Sequence, residues 1–357
     1  MPTQTSPTVE GVPRRSLVLV ALLAAACGTS SPPPPKAAPP APSPVTLSPS
    51  PSPVVPPRAP RAAPRAINPL TGLKPTKAPL VVIKIDNVST AWPYQRGIGH
   101  AAVVYEELVE SGQTRLAAVY DGSWSGRVGP IRSARETDIA LLPQLGRVTL
   151  GFSGANKGVM ASVARAAHRG LLVDVPQETY PGLFDRASRR VDAYNFYSTP
   201  HTLAAAHPGT TAKDIGFHFA VLPKKPVGRT ALAATIRFSD FATVVVRYNR
   251  GTGRYTVIQD GHVMPGVAPA NVIVQRVSVQ GSRYVDVHGS RTPYTTTTGR
   301  GPAALLRDGR LIPATWRRLT VKTGTRYFDG YGHDVPMKPG PTWVLLQPAG
   351  ERFSWSG

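Results

Sequence analysis

An α/β domain with a mixed or parallel sheet, followed by a smaller and mainly antiparallel β domain, is the fold class that the sequence predicts. Three observations predict it. Between residues 80 and 175, five short apolar runs alternate with helical patterns. From residue 235 onward, short strand-like runs follow one another between turn dipeptides. The first 66 residues fit neither pattern, because fifteen of the 39 prolines fall between Pro32 and Pro64.

Residues 1–27 read as an export signal. Arg14 and Arg15 form its positive start, residues 17–26 (LVLVALLAAA) its apolar centre, and Cys27 follows directly. Ten apolar residues are too short for a spanning helix. The pattern resembles a bacterial lipoprotein signal, in which the cysteine becomes the lipidated first residue of the mature chain. An ordinary secretory signal cleaved near Ala26 is the competing reading, and the arginine pair leaves Sec and twin-arginine export both open. Residues 28–66, rich in Pro, Ala and Ser, cannot bury enough apolar area to offset their ordering. They are expected to form a disordered stalk, extended at about 3.1 Å per residue.

The folded body begins near residue 67. Residues 80–85 (LVVIKI) read as a strand ending at Asp86-Asn87, 101–105 as one ending at Glu106-Glu107, and 116–120 as one ending at Asp121. Residues 148–152 and 171–175 are the fourth and fifth. Strands apolar on both faces indicate a sheet covered on both sides. Ser133 and Glu136 have capping-box spacing, opening a helix to about Leu145. A second helix is expected over 155–168, and Thr199-Pro200 opens a third. These elements make up an α/β domain over 67–222.

Beyond a basic link at 222–228, eight short strands are expected in a β domain over 229–350: 235–238, 243–248, 254–259, 271–279, 284–287, 303–306, 316–321 and 343–346. The segment 249–253 and the dipeptides Asp260-Gly261, Asp308-Gly309 and Asp329-Gly330 supply turns.

Composition limits the chemistry. The chain has 357 residues and one cysteine, which excludes an internal disulfide framework and any cysteine-cluster metal site. None of the eight histidines forms H-x-H or H-E-x-x-H, so no metal is expected. No cofactor motif stands out. The glycine-rich GFSGANKG at 151–158 lacks phosphate-loop spacing and reads as a tight turn, with Asn156 and Lys157 as rim contacts. Ser123, Ser125 and Ser153 lack a nucleophile elbow. The formal charge is +21, of which +16 lies in residues 67–357, since residues 1–66 hold six basic side chains and one acidic. No nucleic-acid motif accompanies that charge.

The richest stretch is GPIRSAR at 129–135. It places Arg132 just before the expected helix and Arg135 in its first turn, where a guanidinium runs against the helix dipole. Two such groups suit a carboxylate or phosphate. Asp86 and Glu106, at the ends of two strands, form an acid pair if those strands are parallel neighbours. They then serve either as proton donor and acceptor or as structural partners of the two arginines. Asn87 is read as positioning a substrate or closing a turn. Asn195 and Tyr197, before the third helix, line a cleft or staple that helix to the core.

The blocks KIDN (84–87), VYE (104–106), ESGQTR (110–115), GPIRSAR (129–135), NFY (195–197), NVIVQ (271–275) and GPTWVL (340–345) resemble the YerB-type lipoprotein family. The chain departs from that family at Tyr194, where a His is usual, and at Gln113, where a Gly is usual. The resemblance implies an exported, two-domain lipoprotein and supplies no reaction, substrate or cofactor. The expectation is a lipid-anchored protein on the outer face of the cell membrane. It would bind an anionic wall polymer or an envelope protein through Asp86, Asn87, Glu106, Arg115, Arg132, Ser133, Arg135, Asn195 and Tyr197. The alternative is a hydrolase or transferase of wall glycan or peptide, with Asp86 and Glu106 as its acid and base.

Overall fold

The apolar run at 80–85 becomes β1 (Leu80–Asp86), which is buried along its whole length. A computed structural model describes residues 66–187, 195–222, 227–285, 289 and 291–357. The expected signal, Cys27, the stalk and Tyr194 lie outside the described residues. The next strands are β2 (Val103–Leu108), β3 (Thr114–Asp121), β4 (Thr149–Phe152) and β5 (Val173–Pro176). Each overlaps an expected strand.

Their order differs from a parallel stack. β3 lies between β1 and β2 and is antiparallel to both. β4 pairs in parallel with β1, and β5 in parallel with β4. The sheet is therefore mixed, and β1 and β2 run the same way without touching.

The change of sequence character at 222–228 does not interrupt this sheet. Thr342–Pro348 pairs in parallel with β2, and Asn271–Val277 pairs in parallel with Thr342–Pro348. Gly299–Arg307, Arg310–Arg318 and Arg326–Phe328 continue it antiparallel, and Arg229–Thr230 attaches to Arg310–Arg318, giving eleven strands. Asn271–Val277 and Thr342–Pro348 are buried on both sides because they sit in the middle of that sheet. Five further strands form an antiparallel sheet, His262–Val263, Arg254–Gln259, Ala242–Asn249, Ala233–Ser239 and Phe353–Ser356, and two antiparallel pairs stand apart, Val279–Val285 with Arg291–Thr295 and Asp185–Arg186 with Phe196–Tyr197. The Asp260-Gly261 and Asp308-Gly309 turns form as expected, with both residues at positive φ in each pair. The expected strand at 316–321 ends early, because the chain turns after Arg318.

Residues alternate across the large sheet and so divide the core in two. One face carries Ile83, Ile85, Leu116, Ala118, Trp343 and Leu345, packed against Ile236, Val244 and Val257 of the small sheet. The opposite face carries Val82, Val103, Val119 and Leu150, packed against α1 (Glu136–Leu141) and α2 (Lys157–His168). α3 (Pro200–Ala206) is capped by Thr199, whose hydroxyl accepts from the Thr202 N–H, as the sequence predicts.

Two helix starts differ from expectation. α1 begins at Glu136, with Arg135 as its cap residue. The Asp138 carboxylate accepts from the Arg135 N–H at 2.7 Å, so the box closes two residues later than the Ser133–Glu136 spacing suggests. The Glu136 carboxylate instead accepts from Ser282. In α2 the Asn156 side chain accepts from the Gly158 N–H. Asn156 is thus a helix cap rather than a rim contact.

Candidate functional site

Sheet alternation decides the fate of the expected acid pair. Asp86 lies opposite Arg115 on β3, and Arg115 lies opposite Glu107 on β2. Opposed residues share a face, so Asp86, Arg115 and Glu107 form one row on the helix-covered side. Glu106, one residue earlier, points to the other side. Asp86 and Glu106 are thus separated by β3, two strand spacings or roughly 10 Å, and by the sheet itself. They do not form an acid/base pair.

Glu106 is fully buried and satisfied by neutral donors. Thr114 donates to it at 2.8 Å, Asn87 at 3.3 Å and the Trp343 indole at 2.9 Å. Burial pushes its carboxyl up to about 7, against hydrogen bonds from Trp343 and Thr114 that act to lower it. Asn87 belongs to this network as well. Its amide donates to Thr114 at 2.7 Å and its side-chain oxygen accepts from Gln95 at 3.1 Å. Both side chains are held within this buried network.

The helix side holds the charges. Segment 130–132 inserts between the ends of β1 and β4: the Asp86 N–H donates to Pro130 O, the Arg132 N–H to Lys84 O, and the Ser153 N–H to Arg132 O. This fixes Arg132 beside Asp86, with Arg132 Nε 3.0 Å from Asp86 Oδ2. Arg115 Nη2 lies 3.3 Å from Asp86 Oδ1. Asp86 and Arg115 are buried, whereas the Arg132 side chain is 33% exposed and reaches the surface. Arg135 takes a different partner, Glu110, at 2.6 Å, and Thr292 donates to that carboxylate at 2.9 Å. Burial raises the Glu110 carboxyl, but Arg135 and these hydrogen bonds bring it below the usual range. Lys84 completes the group, bridging Glu107 and Asp138. Burial pushes the Glu107 carboxyl up in spite of Lys84.

Four cations therefore face four carboxylates, but their hydrogen bonds do not close. Arg115 Nε and Nη1, Arg132 Nε and Arg135 Nε are buried without a hydrogen-bond partner, as are Asp86 Oδ1, Glu107 Oε2 and the side-chain oxygen of Asn195. Burial lowers the Arg115 guanidinium to about 10, with Asp86 acting to raise it. Buried polar groups are nearly always paired, so unfilled donors of this kind mark a place for an acceptor. Ser133 is half-buried beside Gly154, and Tyr197 is committed elsewhere: its hydroxyl donates to Tyr94 O and Arg127 stacks on its ring. No group of three or more metal-ligating side chains occurs among the described residues.

Sequence reasoning missed Lys84, Glu107, Glu110 and Asp138. A lysine inside the apolar run LVVIKI was a legible signal, since a buried ammonium needs carboxylate partners. The Glu106-Glu107 doublet was another, because adjacent strand residues must face opposite ways.

Two family models match the chain, both describing a protein of unknown function, DUF3048: its N-terminal domain over residues 70–213 and its C-terminal domain over 234–344. The YerB protein of Bacillus subtilis (strain 168), a lipoprotein by name, is 27% identical over 298 residues, 78% of this chain and 86% of its own. The crystal structure of YerB from Bacillus subtilis superposes with a TM-score of 0.67 at 22% identity, covering 82% of this chain and 100% of that one.

Proposed function

A chain that carries both halves of the DUF3048 family belongs to that family, and we propose that this member is an exported, lipid-anchored protein of the cell envelope. Its folded body binds an anionic ligand, a carboxylate or phosphate group of an envelope polymer or protein, through Arg115, Arg132 and Arg135. Anchoring rests on the signal at 1–26, on Cys27 directly after it, and on the lipoprotein name of the relative. Binding rests on one observation: a buried arginine with two nitrogens lacking acceptors, next to an arginine that reaches solvent.

In this reading Arg132 admits the ligand and Arg115 meets it from below. A charge-assisted hydrogen bond is among the stronger polar contacts available in a poorly hydrated site. Asp86 holds the two guanidinium groups in place. The test is a thermal-shift titration with inorganic phosphate at constant ionic strength. Phosphate is expected to raise Tm in the wild type and to leave Arg132→Gln unchanged. Equal shifts in both proteins would remove the site. Anchoring is tested separately: Cys27→Ser is expected to lose incorporated fatty acid and leave the membrane fraction.

A further inference from the structure

A second cationic surface lies away from Asp86. A cavity of about 510 Å³ opens between α1, α2 and the hairpin of Val279–Val285 and Arg291–Thr295. Arg165, Arg169 and Arg283 line it, over a floor that includes Ile139, Leu171 and Val321. A smaller cavity of about 180 Å³ shares the lining residue Leu171 with it and is lined by Arg147, Lys213 and Lys322. The segments 169–171 and 321–322 pass from one cavity into the other.

Six cations from separate parts of the chain thus line two neighbouring cavities, taken together as a groove, against a single lining acid, Glu136, whose carboxylate accepts from Ser282. Among the described residues none of the six has a carboxylate partner. Arg165 donates to the Ser162 hydroxyl, Arg283 to the Tyr284 hydroxyl and Lys213 to a backbone carbonyl, all neutral oxygens. Elsewhere in the body, cations such as Lys84, Arg135, Arg307 and Lys338 pair with acids. The dipole of α2 favours Arg165 and Arg169 at its C-terminal end. It does not account for Arg147, Lys213, Arg283 or Lys322, which lie on other segments.

We infer that this groove binds a linear polyanion, a flexible chain with phosphate or carboxylate groups spaced along it. A single small anion needs one focus of donors, as at Arg115. Cations strung along two neighbouring cavities match instead a ligand whose charges are themselves strung out. Arg165 and Arg169 alone stand about 6 Å apart along the helix axis. Such binding releases counterions, so its affinity falls steeply with salt.

The probe is long-chain inorganic polyphosphate, titrated against the folded body over a range of salt concentrations, with orthophosphate as the monomer. The wild type is expected to bind the polymer far more tightly than the monomer. The variant Arg165→Gln/Arg169→Gln/Lys322→Gln, with unchanged Tm, is expected to lose at least tenfold in affinity and about two units of the log–log salt slope, at roughly 0.7 per neutralised charge. A control that removes equal charge elsewhere, Arg229→Gln/Arg247→Gln/Arg300→Gln, is expected to bind as the wild type does. Polymer binding that survives the groove variant, or falls equally in the control, overturns the inference. The Arg115 site is read with orthophosphate and Arg132→Gln, so either proposal can fail without the other.

Discussion

Two buried arginines of this protein face the same problem and meet it differently. Arg318 has no carboxylate partner, yet its guanidinium is filled: it donates to the carbonyls of Ala140, Leu141, Val321 and Thr323 and to the Thr297 hydroxyl. It closes the C-terminal end of α1, where carbonyls lack helical partners. Arg115 has a carboxylate partner in Asp86, yet two of its nitrogens have no acceptor. Burial lowers both guanidinium groups to about 10. The contrast separates a buried charge that completes the fold from one that is incomplete within it. Arg115 stands mid-sheet, where the strand ladders have already used the neighbouring carbonyls. Asp86 Oδ1 and Glu107 Oε2, buried acceptors on the same face, make no hydrogen bond to it, and in the proposed reading the further acceptor is supplied by a ligand.

Arg318→Met is the strongest way to break this comparison. Several buried carbonyls lose their donor at once, at about 1–3 kcal/mol each before relaxation, so a loss of ~4 kcal/mol is expected in urea denaturation. A loss below ~1 kcal/mol would show that Arg318 is not structural. The next effect concerns Glu106, which resembles Arg318 in being satisfied by neutral partners. Its carboxyl is raised to about 7 from the usual 4.5. The folded chain therefore keeps a proton that the unfolded chain releases, and stability falls as pH rises from about 4.5 to 7, by on the order of 3 kcal/mol. Glu106→Gln is expected to flatten that slope in Tm measured from pH 4 to pH 8.

Arg115→Met sharpens the contrast from the other side. Asp86 keeps Arg132 as its partner, so a loss of ~1–2 kcal/mol is expected, clearly smaller than for Arg318→Met, together with loss of the phosphate response. Arg132→Gln is the mildest change. Its side chain is partly solvated, so stability should move by less than ~1 kcal/mol while the phosphate response disappears.

Much of this was legible in the sequence, and the limits have physical causes. The strands at 80–85, 116–120 and 254–259 were legible because apolar runs and turn dipeptides are local signals. GPIRSAR drew attention to Arg132 and Arg135, and of the ion pairs with Asp86 or Glu106 weighed as the alternative to ligand binding only Arg132 with Asp86 forms. Strand order is not local. Nothing in the residues around 110–116 says that β3 inserts between β1 and β2, and that insertion is what splits Asp86 from Glu106. Nor does the link at 222–228 announce that Thr342–Pro348 returns to pair with β2 and fuses both halves into one sheet. Glu110 as the partner of Arg135 was out of reach for the same reason. The capping box slipped by two residues because Ser133-x-x-Glu136 and Arg135-x-x-Asp138 overlap, and Lys84 recruits Asp138 to the second.

The central claim is that the empty donors of Arg115 belong to a ligand. The most direct measurement is a crystal of the folded body soaked in selenate, mapped by selenium anomalous scattering. The expected result is a peak within hydrogen-bond distance of Arg115 Nε or Nη1 and in contact with Arg132. An ordered water alone at those nitrogens, with selenium bound only elsewhere, would contradict it.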